Sequence, residues 1–600
     1  MTNSTRVSGA LLIARALKEL GVKVIFGLVG IPVIQIAEEA LNLGIRFIGF
    51  RNEQAASYAA TAYGYLTGKP GVCLAVGGPG ILHSMAGIGN ASANSFPLLL
   101  LAGSCETHLM GKGAFQEFDA LSFLTPHTKI SVRSSIESIP RSITAAFRTS
   151  WYGRPGPVFV DFPADVIEGK GENKTIPLIH TPPRAGVDPS RLKLVTNLLK
   201  SARAPLVIIG KGAAYARAET SIRQLINQTN IPFLPTPMGK GVVPDSHPLN
   251  VASCRSTALK EADIVLVLGA KLNWILHYGE TPKWNEFVKI IQVDICAEEL
   301  GKNNSDPALS MIGDINLVTS QLVDNLVGWQ YDTSSPYLKS ISEIRSRNVA
   351  VAHNAAQSDS IPMTYHRAFN VINETLHKLS PSQNGSLVFI SEGANTMDIS
   401  RSIFPVEYPR LRLDAGTYAT MGVGLGYAIA AHCAYNISEP EAKPGSVSNK
   451  KKVICLEGDS AFGFSLAEVE TMSRYGMDVL IFVINNGGIY HGDSDDSDSW
   501  LQKQKRSIKN EKDGLRSTSL GFEVRYEKVA EMCGGKGYLV RTPSELAEAT
   551  KQGFMATVPV VVNVIIEAGA TQKLHELLIV FKEFAWQQKS SEAKNSLAKL

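Results

Sequence analysis

The sequence has no Cys-x-x-Cys pair, no long apolar run and no excess of one charge, and each lack argues against a class of function. Its seven cysteines stand singly, several inside apolar runs such as Cys73 in GVCLAV and Cys455 in VICLEG. An odd number so spaced argues against disulfides or structural zinc and reads as buried thiols in a reducing compartment. No segment reaches the ~18–20 apolar residues that a membrane span takes. Fifty-nine basic residues against 55 acidic ones leave a net charge of +4. That balance does not point to nucleic acid or to an acidic partner. The first 21 residues, MTNSTRVSGALLIARALKELG, lack the clean apolar core of a signal peptide and read as a capped amphipathic helix. No short internal repeat is visible.

What is present is a soluble α/β composition on a large scale. A chain of 600 residues, 44% hydrophobic and 19% charged, is too long for one core. Short apolar runs ending in Gly or polar residues alternate with helical patterns throughout: VKVIFGLVG, GVCLAVGG, LLLLAGS, PLVIIG, DIVLVLGA, IIQVDI, VICLEGD and VLIFVINN. Such runs predict parallel sheets covered by helices on both faces. Pro- and Gly-rich breaks at about 168–190 and 330–362 divide the chain into domains of 1–180, 190–350 and 360–575, with a tail at 576–600. The first and third domains are expected to be alike in plan. Residues 491–520, charged and Ser-rich, read as a mobile excursion, and 437–451 as a polar surface loop.

The strongest chemical signal lies in the third domain. VICLEGD is a strand ending in Gly458-Asp459-Ser460; VLIFVI is a strand ending in Asn485-Asn486-Gly487-Gly488. Asp459 and Asn486 are 27 residues apart, one strand–helix–strand crossover. Both polar ends therefore emerge at the carboxyl edge of adjacent parallel strands, where open α/β sheets bind ligands. A carboxylate, an amide oxygen and a backbone carbonyl are hard ligands for an octahedral Mg²⁺ completed by diphosphate oxygens and water. Gly458 lets the backbone approach closely, and Ser460 can donate to a phosphate at a helix start. Either piece alone would be an ordinary strand end or turn. The segment GTYATMGVGLGYAIA, residues 416–430, enters a helix with glycines at 422, 424 and 426. That is not the G-x-G-x-x-G spacing of a dinucleotide site.

The GDS…NN pattern resembles the fingerprint of thiamine diphosphate enzymes, usually GDG…NN, with Ser460 in place of the usual third Gly. The resemblance implies three domains, each a parallel sheet flanked by helices: pyrimidine-binding, central Rossmann-like and diphosphate-binding. It implies thiamine diphosphate and Mg²⁺ as cofactors. The metal would be held by Asp459, Asn486 and Gly488, and the cofactor also by Met421, Gly422, Gly458, Ser460 and Ile489. Met421 matches the apolar residue that props thiamine in its bent shape. RNEQAASYAA resembles the family's pyrimidine-binding segment. By that resemblance Glu53, the catalytic residue, hydrogen-bonds N1′ of the aminopyrimidine and promotes loss of the C2 proton. It would serve a cofactor anchored by Asp459 of a second subunit, which implies a homodimer or homotetramer with active sites at the interface.

Longer segments narrow the resemblance to the sister enzymes 2-hydroxyacyl-CoA lyase and oxalyl-CoA decarboxylase: GAFQEF, YGRPGPVFVDFPAD, IGKGAAYA, MGKGVVPDSHP, SEGANTMDI and EGDSAFGFS. The match implies an acyl-CoA substrate and a carbon–carbon lyase reaction releasing formyl-CoA, with ADP as an activator of the central domain. Arg154, Lys211 and Asp294 would contact the ADP moiety, and Arg401 would lie on the CoA path. Ile31, Phe115 and Gln116 would face the thiazolium and the substrate. Phe115 stands where the decarboxylase has Tyr, which favours an alkyl chain over a second carboxylate and hence the lyase of fatty acid α-oxidation. The alternative is oxalyl-CoA decarboxylase. Two remoter readings are an acetolactate-synthase-like carboligase with FAD and an inactive scaffold relative. Ala598-Lys599-Leu600 is a small–basic–Leu address for the peroxisomal import receptor, so a peroxisomal matrix location is expected, with the cytoplasm as the alternative. Residues 491–525 depart from the family pattern.

Overall fold

A computed structural model describes residues 6–173, 176, 178–437 and 450–569. The tail 576–600 with its Ala-Lys-Leu address, and most of the expected 437–451 loop, lie outside the described residues.

Three parallel sheets carry the fold. The first orders its strands Arg46–Gly49, Val24–Gly27, Gly71–Ala75, Leu98–Ser104, Pro157–Pro163 and Ser131–Arg133. The third orders Arg412–Asp414, Leu387–Glu392, Lys452–Gly458, Leu480–Asn485, Val560–Ile565 and Lys536–Val540. Numbered along the chain, both sheets run 2-1-3-4-6-5. The central sheet has five strands: Phe233–Pro235, Pro205–Ile209, Ile264–Leu268, Lys289–Asp294 and Met311–Ile312. In every sheet the order reverses between the first and third strand. This switch point leaves a crevice at the carboxyl edge, the place where ligands bind in open α/β sheets.

The apolar runs are continuous because both faces of each sheet are covered. In Leu98–Ser104, Leu98 and Leu100 point into a core shared by all three domains. Leu99 and Leu101 point into a second core under helices Gly9–Glu19, Ile34–Asn42 and Ile139–Trp151. Side chains alternate along a strand, so a strand buried on both sides is apolar at most of its positions. Each fully buried Leu contributes about 1.5–3 kcal/mol.

The first and third domains meet where helix Glu53–Thr67 packs on helix Gly424–His432. Both are lined with small residues. A Cβ at Gly426 would stand 2.7 Å from the Ala55 carbonyl oxygen, so only glycine permits this approach. All seven cysteines are free, six of them buried, which agrees with the reading from spacing. Among the described residues no helix is long and apolar enough to cross a membrane.

Candidate active site

Asp459 and Asn486 arrive together at the carboxyl edge of the third sheet, at the ends of two neighbouring strands beside the switch point. Asp459 opens a short helix directly after strand Lys452–Gly458 and is buried. Its Oδ1 accepts from Ser460 N at 2.8 Å and its Oδ2 from Gly488 N at 3.1 Å. Asn486 Oδ1 accepts from the same Gly488 N at 3.1 Å. Its Nδ2 donates to the Tyr490 carbonyl and the Tyr365 hydroxyl. Gly487 takes φ +72°, in the left-handed region that the turn requires. Burial pushes the Asp459 carboxyl up to about 7, against backbone hydrogen bonds that pull it down. A nearby cation would relieve that cost. Gly393, at φ +93°, ends the adjacent strand, and a Cβ there would stand 3.2 Å from Gly458 N.

This donor set fits a magnesium–diphosphate group. It offers one carboxylate, one amide oxygen and a glycine carbonyl. Among the described residues no three His, Cys, Asp or Glu side chains converge on a metal position. An ion here would complete its shell with oxygens of its ligand and water, as Mg²⁺ does.

Beneath the turn lies a pair of carboxyls that the motif reading missed. Glu392 and Glu457 end adjacent strands in register and are fully buried. Glu392 accepts from Gly422 N and, at 2.5 Å, from Gly424 N. It thereby fixes the glycine turn that carries Met421. Glu457 accepts from Cys455 Sγ at 3.0 Å. Burial pushes Glu392 up to about 7 and Glu457 well above the usual carboxylate range, the latter also through its neighbour Glu392. The available signal was a Glu as the last charged position of an otherwise apolar strand, in LVFISE and KVICLEG.

Glu53 opens helix Glu53–Thr67, which Asn52 caps by accepting from Gln54 N at 2.7 Å. Its carboxylate is buried and meets His83 Nδ1 at 3.0 Å. Arg51 N donates to Glu468 at 3.2 Å, and Gly49 N to the Tyr475 hydroxyl at 2.9 Å. The third domain thus holds the residues that precede Glu53. Gln116, at φ +54°, packs over Gly78, and its buried Oε1 has no hydrogen-bond partner among the described residues. Phe115 and Ile31 project into solvent, 72% and 70% exposed. Met421 is half-buried, and Ile489, next to Gly488, is exposed.

The central sheet opens its switch point into a cavity of about 620 Å³ lined by Arg154, Lys211, Lys271, Asp294, Glu299 and Thr417. Gly210 and Gly269 meet there backbone to backbone. Lys211 Nζ reaches Asn94 Oδ1 at 2.5 Å and Thr417 Oγ1 at 2.8 Å. Burial, with Lys271 nearby, lowers its ammonium to about 7. Arg154 binds Glu299 at 3.2 Å and Ser95 Oγ at 3.0 Å. Asp294 accepts from Cys296 N at 2.8 Å, and burial raises its carboxyl. Arg401 is not brought to this cavity. It lies buried between Asp414, 3.1 Å from Nε, and Asp398, 2.5 Å from Nη1.

Residues 491–520 differ from the expected mobile excursion. Helix Ser497–Ile508 forms within them, and Asp493 gathers Lys503 Nζ at 2.8 Å, Arg516 N at 2.8 Å and Ser519 Oγ at 2.7 Å. The segment pairs with the turn at 486–488 through Ile489 N to the Thr518 carbonyl and Leu520 N to the Gly487 carbonyl. Composition pointed to a mobile loop; the segment stays at the surface, its helix burying no residue, but one buried carboxylate with several donors organises it.

Comparison with known proteins agrees with this geometry. Residues 7–123 match the thiamine pyrophosphate enzyme N-terminal TPP binding domain, 192–322 the central domain and 392–564 the C-terminal TPP binding domain. The chain is 46% identical to 2-hydroxyacyl-CoA lyase 1 of Homo sapiens over 578 residues, covering 95% of this chain and 96% of that one. It is 41% identical to 2-hydroxyacyl-CoA lyase of Saccharomyces cerevisiae over 594 residues, covering 96% and 98%. Against oxalyl-CoA decarboxylase of Escherichia coli (strain K12) identity is 36% over 571 residues, covering 94% and 95%.

Proposed function

Because the chain belongs to the thiamine pyrophosphate enzymes, beside the 2-hydroxyacyl-CoA lyases and oxalyl-CoA decarboxylases, we propose that it cleaves the C1–C2 bond of a 2-hydroxyacyl-CoA. The products are formyl-CoA and an aldehyde. The chain is a thiamine diphosphate-dependent carbon–carbon lyase.

The observation that carries the substrate class is the basic cavity of the central domain, which reaches Thr417 of the third. Arg154, Lys211 and Lys271 suit the phosphates of a CoA nucleotide, and Asp294 suits its ribose hydroxyls. ADP alone would use the same groups. Asp459, Asn486 and the Gly488 carbonyl hold Mg²⁺, and Met421, Gly422, Gly458, Ser460 and Ile489 surround the cofactor. Bound thiamine diphosphate supplies a carbanion nucleophile and an electron sink. Glu53 holds a proton at its carboxyl and exchanges it with the pyrimidine. Phe115, Ile31 and the unpartnered Gln116 Oε1 face the acyl group, and the apolar Phe115 favours an alkyl chain over a second carboxylate. Exposed Ile31, Leu82, Phe115, Tyr418, Phe464 and Ile489 are apolar surface that a second subunit would cover, which supports an active site at a homodimer or homotetramer interface. Read as a C-terminus, Ala598-Lys599-Leu600 supports delivery to the peroxisomal matrix.

Incubation with a 2-hydroxyacyl-CoA and with oxalyl-CoA in parallel tests this reading. Formyl-CoA and aldehyde from the first, in excess over formyl-CoA and CO₂ from the second, is the expected result. The reverse preference would make the protein a decarboxylase.

A further inference from the structure

The Glu53 carboxylate is sealed from solvent in the single chain, yet the role proposed for it requires a proton to come and go at every turnover. Its side chain is 7% exposed, whereas that of His83 is 60% exposed, and 3.0 Å separates His83 Nδ1 from Glu53 Oε2. His83 is the carboxylate's only hydrogen-bond partner among the described residues. It stands in the first turns of helix Pro79–Asn94, directly after the Gly77-Gly78 turn. The other oxygen, Oε1, faces Gly80, where a Cβ would be 3.3 Å away. Another titratable group beside Glu53 is Cys73 on the strand beneath. Burial and the Glu53 charge push its thiol far up, so it stays protonated and cannot pass a proton on.

We propose that His83 is the proton relay between Glu53 and solvent, a positioning residue that acts on the reaction through that carboxylate. The inference rests on the role assigned to Glu53 above. Imidazole can accept at one nitrogen while donating from the other. As Glu53 gives its proton to the pyrimidine from Oε1, His83 Nδ1 delivers one to Oε2, and Nε2 takes one from water. The ring ends neutral, with its tautomer switched. Return of the proton by the reverse path resets it. Net, one proton passes from water to the pyrimidine, and no other bond is made or broken.

The test uses holoenzyme loaded with thiamine diphosphate and Mg²⁺. Deuterium exchange at the cofactor's C2 is followed by acid quench and proton NMR, and cofactor affinity by calorimetry. Wild type, Glu53→Gln, His83→Ala and His83→Asn are compared. A relay predicts that both His83 variants bind cofactor but exchange about 10²-fold more slowly. Added imidazole restores His83→Ala and does not restore Glu53→Gln. Asparagine keeps a donor to Oε2 but cannot carry a proton through. Wild-type exchange in His83→Asn would therefore reduce His83 to an orienting contact and overturn the relay, as would wild-type exchange in His83→Ala. Wild-type exchange in Glu53→Gln would instead remove the role proposed for Glu53, a separate failure.

Discussion

Gly424→Ala is a substitution that helix propensity alone would favour. Gly424 begins helix Gly424–His432, and Ala for Gly in a helix ordinarily stabilises by about 0.5–1 kcal/mol. Here a Cβ would fall far inside contact with Glu457 Oε1 and 2.9 Å from Glu392 Oε2. A carboxylate end can swing aside on a surface, but both of these are fully buried. Overpacking costs about 1–3 kcal/mol. Displacing Glu392 also forfeits its hydrogen bond from Gly424 N, about 1.5–3 kcal/mol for a charged acceptor. We expect a net loss of about 1.5–5.5 kcal/mol, those two costs together less the helix gain. Denaturant unfolding of the cofactor-free protein should reveal it, together with weaker thiamine diphosphate binding by calorimetry, because Glu392 anchors the turn that carries Met421. Gly476→Ala is the control. Gly476 has open space around it and φ +62°, so only its backbone strain should register, about 1–2 kcal/mol. Adding Glu457→Ala to Gly424→Ala should recover part of the loss, a coupling above about 1 kcal/mol. If Gly424→Ala lies within about 0.5 kcal/mol of wild type, or the double variant shows no coupling, the carboxyls do not crowd this glycine and the reasoning fails.

Glu53→Gln should retain cofactor affinity and lose activity by about 10²–10⁴-fold; wild-type-like turnover would remove Glu53 from its role. Glu468, which accepts from Arg51 N and Thr471 Oγ1, is raised from 4.5 to about 7 by burial. A raised carboxyl binds more protons folded than unfolded, so its contribution to stability is greatest below pH 4.5 and is lost as pH rises through about 7. Glu468→Gln should therefore flatten the fall in melting temperature between pH 5 and 8, read by scanning calorimetry at about one-unit steps. Lys211 is held down at about 7, and a phosphate binds its charged form. ADP affinity should weaken as pH rises above that value, and Lys211→Met should abolish the trend in a calorimetric titration. Asp493→Asn should destabilise by about 1–3 kcal/mol and speed proteolysis within 491–520; an unchanged cleavage rate would show that Asp493 does not hold the segment.

The parallel sheets were legible because a strand buried on both faces is apolar at most of its positions, and such runs recur along the chain. The Asp459–Asn486 pair was legible because one crossover of ordinary length carries both to the same sheet edge. Pairings across the molecule were not. Nothing near His83 in sequence announces Glu53, 30 positions away. Lys271 and Glu299 lie in separate loops and share the cavity only through the central sheet's register. Resemblance put Arg401 on the CoA path; of its two acid partners Asp398 is three residues before it, but Asp414 arrives from the next strand. The segment 491–520 has the composition of a solvated loop; Asp493 organises it by geometry that no local pattern encodes.

The strand order has a consequence for the chain during synthesis. Val560–Ile565 lies between Leu480–Asn485 and Lys536–Val540, pairing with both. Until residue 565 has been made, the strand that leads into the turn at 486–488 has an open parallel edge, apolar from Leu480 to Ile484. The first domain repeats the situation, because Pro157–Pro163 must insert between Leu98–Ser104 and Ser131–Arg133. An open apolar edge invites pairing with another chain. A nascent chain therefore passes twice through a state in which the lateral edge of an apolar strand lies open. A product cut short before residue 560 would be not merely an inactive enzyme but a template for aggregation, and the cell has reason to shield or destroy it.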